Sequence, residues 1–109
     1  MPKQPINYDN VIIYKLVCKD IDIVDCYVGY TTSFVSKKYD HKHACNNIND
    51  KKYNMYVYEF IRNNGGWDNW DMIVIEKCSC KDVDEVKLKT RNYMQSLNAR
   101  LNKYVRRFE

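Results

Sequence analysis

Val11-Ile12-Ile13-Tyr14-Lys15-Leu16-Val17-Cys18, answered after a short polar gap by Val24-Asp25-Cys26-Tyr27-Val28-Gly29-Tyr30, is the stretch that decides the fold. The first run is rich in β-branched residues and too short for a helix, which predicts a well-buried strand. Lys19-Asp20-Ile21-Asp22 has the composition of a turn. The second run shows partial alternation, so the two runs are expected to pair as a hairpin. Tyr14 and Tyr27 then lie side by side.

Working outward, Thr31-Thr32-Ser33 supplies cap-type residues, and from Phe34 the spacing of Phe34, Lys37 or Lys38, His41 and Ala44 or Cys45 predicts a helix. Residues 45–52 are polar and read as a connection. Tyr53 to Arg62 is dense enough in apolar residues for a second, mostly buried helix, closed by Asn63-Asn64-Gly65-Gly66, residue types that tolerate the left-handed conformation. Trp67-Asp68-Asn69-Trp70 leads into a third strand over Met72 to Glu76. After the loop Cys78-Ser79-Cys80, Asp82-x-x-Glu85 has capping-box spacing, with an acid in place of the usual Ser or Thr. The last helix is expected from about Val83 to Ala99, with Val83, Val86, Thr90, Tyr93, Met94 and Leu97 on one stripe. The order is β-β-α-α-β-α. It predicts one α+β domain over residues 1–109, with a core of about 11–103 and a small three-stranded, mainly antiparallel sheet flanked by helices. A polar lead-in precedes the core and a basic tail follows it.

With 109 residues, 45% of them hydrophobic and 29% charged, there is material for one core and not two. No apolar run approaches the roughly 18–20 residues of a bilayer span, and Met1-Pro2-Lys3-Gln4-Pro5 lacks the apolar stretch of a secretory signal. The expectation is an intracellular protein, in cytoplasm or nucleus, with no membrane partner. Five cysteines without an export signal point to reduced thiols. His41-x-His43-x-Cys45 and Cys78-x-Cys80 offer soft ligands, but alternate residues on a helix diverge by about 200°, which argues against structural zinc. A net charge of +4 permits a polyanionic partner.

Taken together, these segments resemble the GIY-YIG nuclease family, in particular its virus-encoded and homing-endonuclease-like members. Ile12-Ile13-Tyr14 matches the first motif with Ile12 in place of glycine, and Tyr27-Val28-Gly29 matches the second. Tyr30-Thr31-Thr32-Ser33-Phe34, Lys38-Tyr39-Asp40-His41-Lys42, Asn64-Gly65-Gly66-Trp67-Asp68-Asn69-Trp70 and Ser96-Leu97-Asn98-Ala99-Arg100-Leu101-Asn102 extend the likeness over about Val11 to Lys103. The resemblance implies DNA phosphodiester hydrolysis with one divalent metal, Mg²⁺ or Mn²⁺. It implies that Tyr14 activates the attacking water, Tyr27 positions it, His41 is the helix histidine and Asn102 supports the site. Lys37 stands where the family carries arginine, keeping charge but losing the bidentate fork. Thr90 stands at the position of the metal-binding glutamate, and a neutral oxygen is a poor ligand for a hard cation. The expectation is a nuclease-type domain with impaired or lost catalysis.

Phosphate contacts are expected from Lys38, Lys42, Arg91, Arg100, Lys103, Arg106 and Arg107, with target choice left to DNA structure or to a protein partner. The alternative is a non-enzymatic module that binds nucleic acid or a protein through the same cleft or a Trp67 to Trp70 surface. Plainer readings stand beside these. Lysines on helices are usually a solvated face, His41 alone reads as a solvated or hydrogen-bonded helix residue, and Thr90 reads as a core filler reaching back to a main-chain carbonyl. Glu85 reads as the capping-box acid. Alternation alone does not place Glu76.

Overall fold

The two runs form β1 (Val11–Cys18) and β2 (Cys26–Thr31). In the computed structural model, which describes residues 7–102, they pair antiparallel as the expected hairpin, with Tyr14 opposite Gly29 and Leu16 opposite Tyr27. β3 (Trp70–Cys78) pairs antiparallel with the other side of β1, giving the sheet order β2-β1-β3. With α1 (Phe34–Asn46), α2 (Tyr56–Asn63) and α3 (Val83–Ser96), the described residues follow the order β-β-α-α-β-α.

Successive residues of a strand point to opposite faces, and β1 uses both. Tyr14 and Leu16 join Ala44, Cys45, Val57, Ile61, Trp70 and Met72 in a core under α1 and α2. Val11 and Ile13 join Val28, Cys80 and Val86 in a second core under α3. Continuous apolar character in β1 thus reflects a strand covered on both sides. Among the described residues no helix is long and apolar enough to cross a membrane.

A β-bulge lies beside Tyr14. Ile13 faces Glu76 and Tyr14 faces Val74, so Ile75 is the unopposed residue. Without the bulge, Glu76 would share a face with Trp70 and Met72, beneath α1 and α2. The extra residue reverses the parity and turns Glu76 toward α3, where Tyr93 Oη donates to it at 2.5 Å and Lys89 Nζ lies 3.4 Å away.

Several boundaries differ from the sequence reading. α2 begins at Tyr56, because residues 51–54 form turns and Met55 is extended. α3 stops at Ser96, and Asn98 adopts a left-handed φ of 49°. Leu97 is therefore beyond the helix and exposed instead of on its inward stripe. Trp67 and Trp70 are buried core residues, while Asp68 between them is exposed. Trp70 Nε1–H donates to the Asn64 carbonyl, the same oxygen that receives Asn69 Nδ2. Gly65 and Gly66, with φ of 99° and 81°, make the turn that lets Asn64 and Asn69 meet.

The starts of α3 and α1 use side-chain chemistry, whereas that of α2 has no side-chain cap. At α3, Glu85 N–H donates to Asp82 Oδ1 and Lys81 N–H donates to Glu85 Oε1, so the acids do act as a capping box. At α1, Ser33 makes no side-chain cap. Thr31 Oγ1 instead accepts from Ser33 N–H and donates to the Ser33 carbonyl. After α3 the chain wraps the edge of β2. Ala99 packs on the α3 side, Leu101 is buried in the core on the other side, and Asn102 bonds the edge between them. Asn102 Oδ1 accepts from Val28 N–H at 2.8 Å and its Nδ2 donates to the Val28 carbonyl at 2.9 Å.

Candidate functional site

A cleft of about 660 Å³ opens between the β1–β2 hairpin, α1, the 47–55 connection and α3. Tyr14, Tyr27, Lys37, His41 and Thr90 all line it, so five of the residues singled out in the sequence come together. His41 is the hub. Its Nε2 lies 2.6 Å from Tyr14 Oη and its Nδ1 lies 2.7 Å from Tyr58 Oη. Trp67 stacks on its ring at 6.2 Å between centroids, and Tyr27 meets it edge-on at 5.9 Å.

The hub follows from local structure. Lys37 and His41 sit one helical turn apart on α1, and Tyr14 reaches His41 by lying across Gly29 in the neighbouring strand. A Cβ on Gly29 would fall 2.5 Å from Tyr14 Oη. This glycine is needed for space.

Burial, reinforced by the Lys37 charge, lowers the His41 pKa from 6.5 to about 4, so the imidazole is neutral near pH 7. A neutral imidazole has one N–H and one bare nitrogen; one of the two tyrosines therefore donates to it and the other accepts. Burial also raises the pKa of Tyr14, Tyr58 and Tyr27, keeping all three protonated. With the imidazole proton on Nδ1 and pointing at Tyr58, Tyr14 Oη–H donates to Nε2.

Lys51 and Lys52 join Lys37 on the rim, and none of the three forms an ion pair among the described residues. Asp40 and Asp50 also line the cleft. Asp50 is engaged by Lys52 N–H and by His43 Nδ1 at 2.7 Å, contacts that lower its pKa. Arg62 fixes this rim from behind, donating to the carbonyls of Cys45 and Tyr53 and lying 3.6 Å over the Tyr53 ring.

The remaining candidates lie elsewhere. Asn102 is engaged with the Val28 backbone outside the cleft lining, as a brace for β2. Lys38, Lys42 and Arg91 are exposed on their helices, and Arg100 is 3.8 Å from Asp25. Lys103, Arg106 and Arg107 fall outside the described residues. Glu76 and Glu85 are absent from the cleft lining. His41 and Cys45 are buried residues of α1, while Cys78 and Cys80 lie on the α3 side of the sheet. Tyr58 is the residue sequence reasoning missed. Its neighbours Val57 and Ile61 mark it as buried, but nothing local signals a partner on α1.

Among the described residues the divalent metal implied by the resemblance finds no fitting donor set. Thr90 Oγ1 donates to the Val86 carbonyl at 2.7 Å and is a neutral hydroxyl. Among the described residues no three His, Cys, Asp or Glu side chains are placed to hold one ion. Comparison of the chain with protein-family models, with curated proteins and with solved structures gives no match in any of the three.

Proposed function

We propose that the cleft binds the phosphate backbone of DNA on a GIY-YIG-like scaffold whose hydrolytic step is weak or absent in this sequence. The observation that carries the reading is the Tyr14–His41–Tyr58 chain on the floor of a cleft rimmed by Lys37, Lys51 and Lys52. The lysines supply charge without sequence readout, as backbone contact requires. Tyr14 and Tyr27 bring their phenols to the cleft lining, and neutral His41 orients Tyr14 through the Oη–Nε2 hydrogen bond. Thr90 lines the same cleft from α3.

Two measurements test this. Fluorescence anisotropy with a labelled duplex is expected to show affinity that falls steeply with salt and weakens in Lys37→Ala/Lys52→Ala. Salt-independent binding, or none at low salt, refutes the proposal. In a plasmid-nicking assay with Mg²⁺ or Mn²⁺, the unaltered chain is expected to be near background, Thr90→Glu to nick, and Thr90→Glu/Tyr14→Phe to fall back. Full activity in the unaltered chain would overturn the reading of Thr90.

A further inference from the structure

At the end of β3, Cys78 Sγ and Cys80 Sγ lie 3.8 Å apart. Cys78 is the last residue of β3 and is half-buried, whereas Cys80 is 4% exposed in the core beneath α3. Side chains two apart on a regular strand stand well separated on one face. Here the chain leaves the strand at Ser79, and the Cys80 N–H donates to the Tyr8 carbonyl at 2.7 Å, bringing the sulfurs into contact. Glu76 and Lys89 flank Cys78.

We propose that Cys78 and Cys80 form a reversible dithiol–disulfide pair that reacts by exchange with low-molecular-weight disulfides. The order of steps follows from exposure. Cys78, as its thiolate, attacks one sulfur of the reagent RSSR; its Sγ bonds to that sulfur, the RS–SR bond breaks, and RS⁻ leaves and takes up the proton Cys78 gave up. Cys80, which a bulky reagent cannot reach, then attacks Sγ of Cys78 as thiolate. The mixed disulfide breaks and the second RS⁻ leaves with the Cys80 proton. The protein loses two electrons and two protons, and RSSR becomes two RSH. Burial and the neighbouring Cys80 thiol push Cys78 up to about 11, so little thiolate is present near pH 7 and exchange is slower than at an exposed thiol.

Two consequences distinguish this pair from a structural bridge. The sulfurs must close from contact to about 2 Å, which draws residues 79–80 toward β3 and away from Tyr8, loosening the capping box at the start of α3. A ring closed across one intervening residue restricts the unfolded chain little and is strained, so a mild thiol reopens it.

The test treats the folded chain with oxidised glutathione, followed by intact mass and a non-reducing digest. Expected are loss of two hydrogens without a lasting adduct, a link inside the peptide carrying residues 78–80, and full reversal by a monothiol. Amide exchange at Lys81 and Glu85 is expected to speed up severalfold in the oxidised form. Cys80→Ser should retain a glutathione adduct on Cys78. Where that variant fails to fold, differential alkylation of the unaltered chain decides: Cys78 and Cys80 become protected together and are released together. A stable adduct on Cys78 in the unaltered chain, links to Cys18, Cys26 or Cys45, or free alkylation of both thiols after treatment each overturn the proposal. DNA binding plays no part in these readouts.

Discussion

His41, 4% exposed and held between Tyr14 and Tyr58, has a pKa of about 4 in the folded chain against an ordinary value of 6.5. As pH falls, the unfolded chain takes up this proton first. The contribution to stability is therefore complete above about pH 6.5 and is lost as pH drops toward 4. Denaturant titrations are expected to show a loss of about 2 kcal/mol between about pH 7 and about pH 5. His41→Gln should flatten that interval, because the lowered pKa values of Glu76 and Asp50 act at more acid pH. Gly29→Ala is expected to destabilise by about 1–3 kcal/mol through overpacking against Tyr14, and to break the Tyr14–His41 bond, visible in the His41 ring nitrogen shifts. The sequence supplied Tyr14, Tyr27, Lys37 and His41 as neighbours, but it did not show that His41 is buried. On α1 the polarity pattern is inverted: Val35 and Tyr39 are exposed while His41 is inside. Hydropathy reads such a helix backward, and only the partners on β1 and α2 explain it.

Elements reach the cleft through braces contributed from distant parts of the chain. Arg62 on α2 ties the end of α1 and Tyr53 of the connection to one guanidinium. Arg62→Met should cost about 1–3 kcal/mol through unpaired carbonyls, and should speed amide exchange around Lys51 and Lys52 before the core is affected. Leu101→Ala should cost about 2–5 kcal/mol, since the side chain fills the core shared by Tyr14 and Ile61, and chemical denaturation measures it directly. Strands were legible because β-branched runs need no partner to be recognised. Helix ends were less so: apolar Tyr53 and Met55 looked helical but Tyr53 lies in a turn and Met55 is extended, and Leu97 fitted a stripe that Asn98 cuts short. Glu76 was illegible for a sharper reason, because one bulge residue at Ile75 reverses which face an alternating strand presents.

Across the described residues two chemistries stand apart, a lysine-rimmed cleft between the hairpin, α1 and α3 and a thiol pair at the end of β3. Three rim lysines contacting phosphates predict a slope of log affinity on log salt of roughly −3, and each Lys→Ala change should reduce it by about one. Binding isotherms across a salt series check both. The hairpin and the element order were legible from local signals. The position of β3 against the outer side of β1 was not, since that pairing is made across the intervening helices.

The wrap of residues 99–102 around β2 also sets a sequence of events in time. A ribosome delivers β1, β2, both cleft helices and β3 before it delivers Leu101 and Asn102, so the Val28 edge stays unpaired until the last brace emerges. A chain paused after α3 has a formed hairpin with an open rim, the state in which nascent copies add strands to one another. Asn102 closes that window once it emerges.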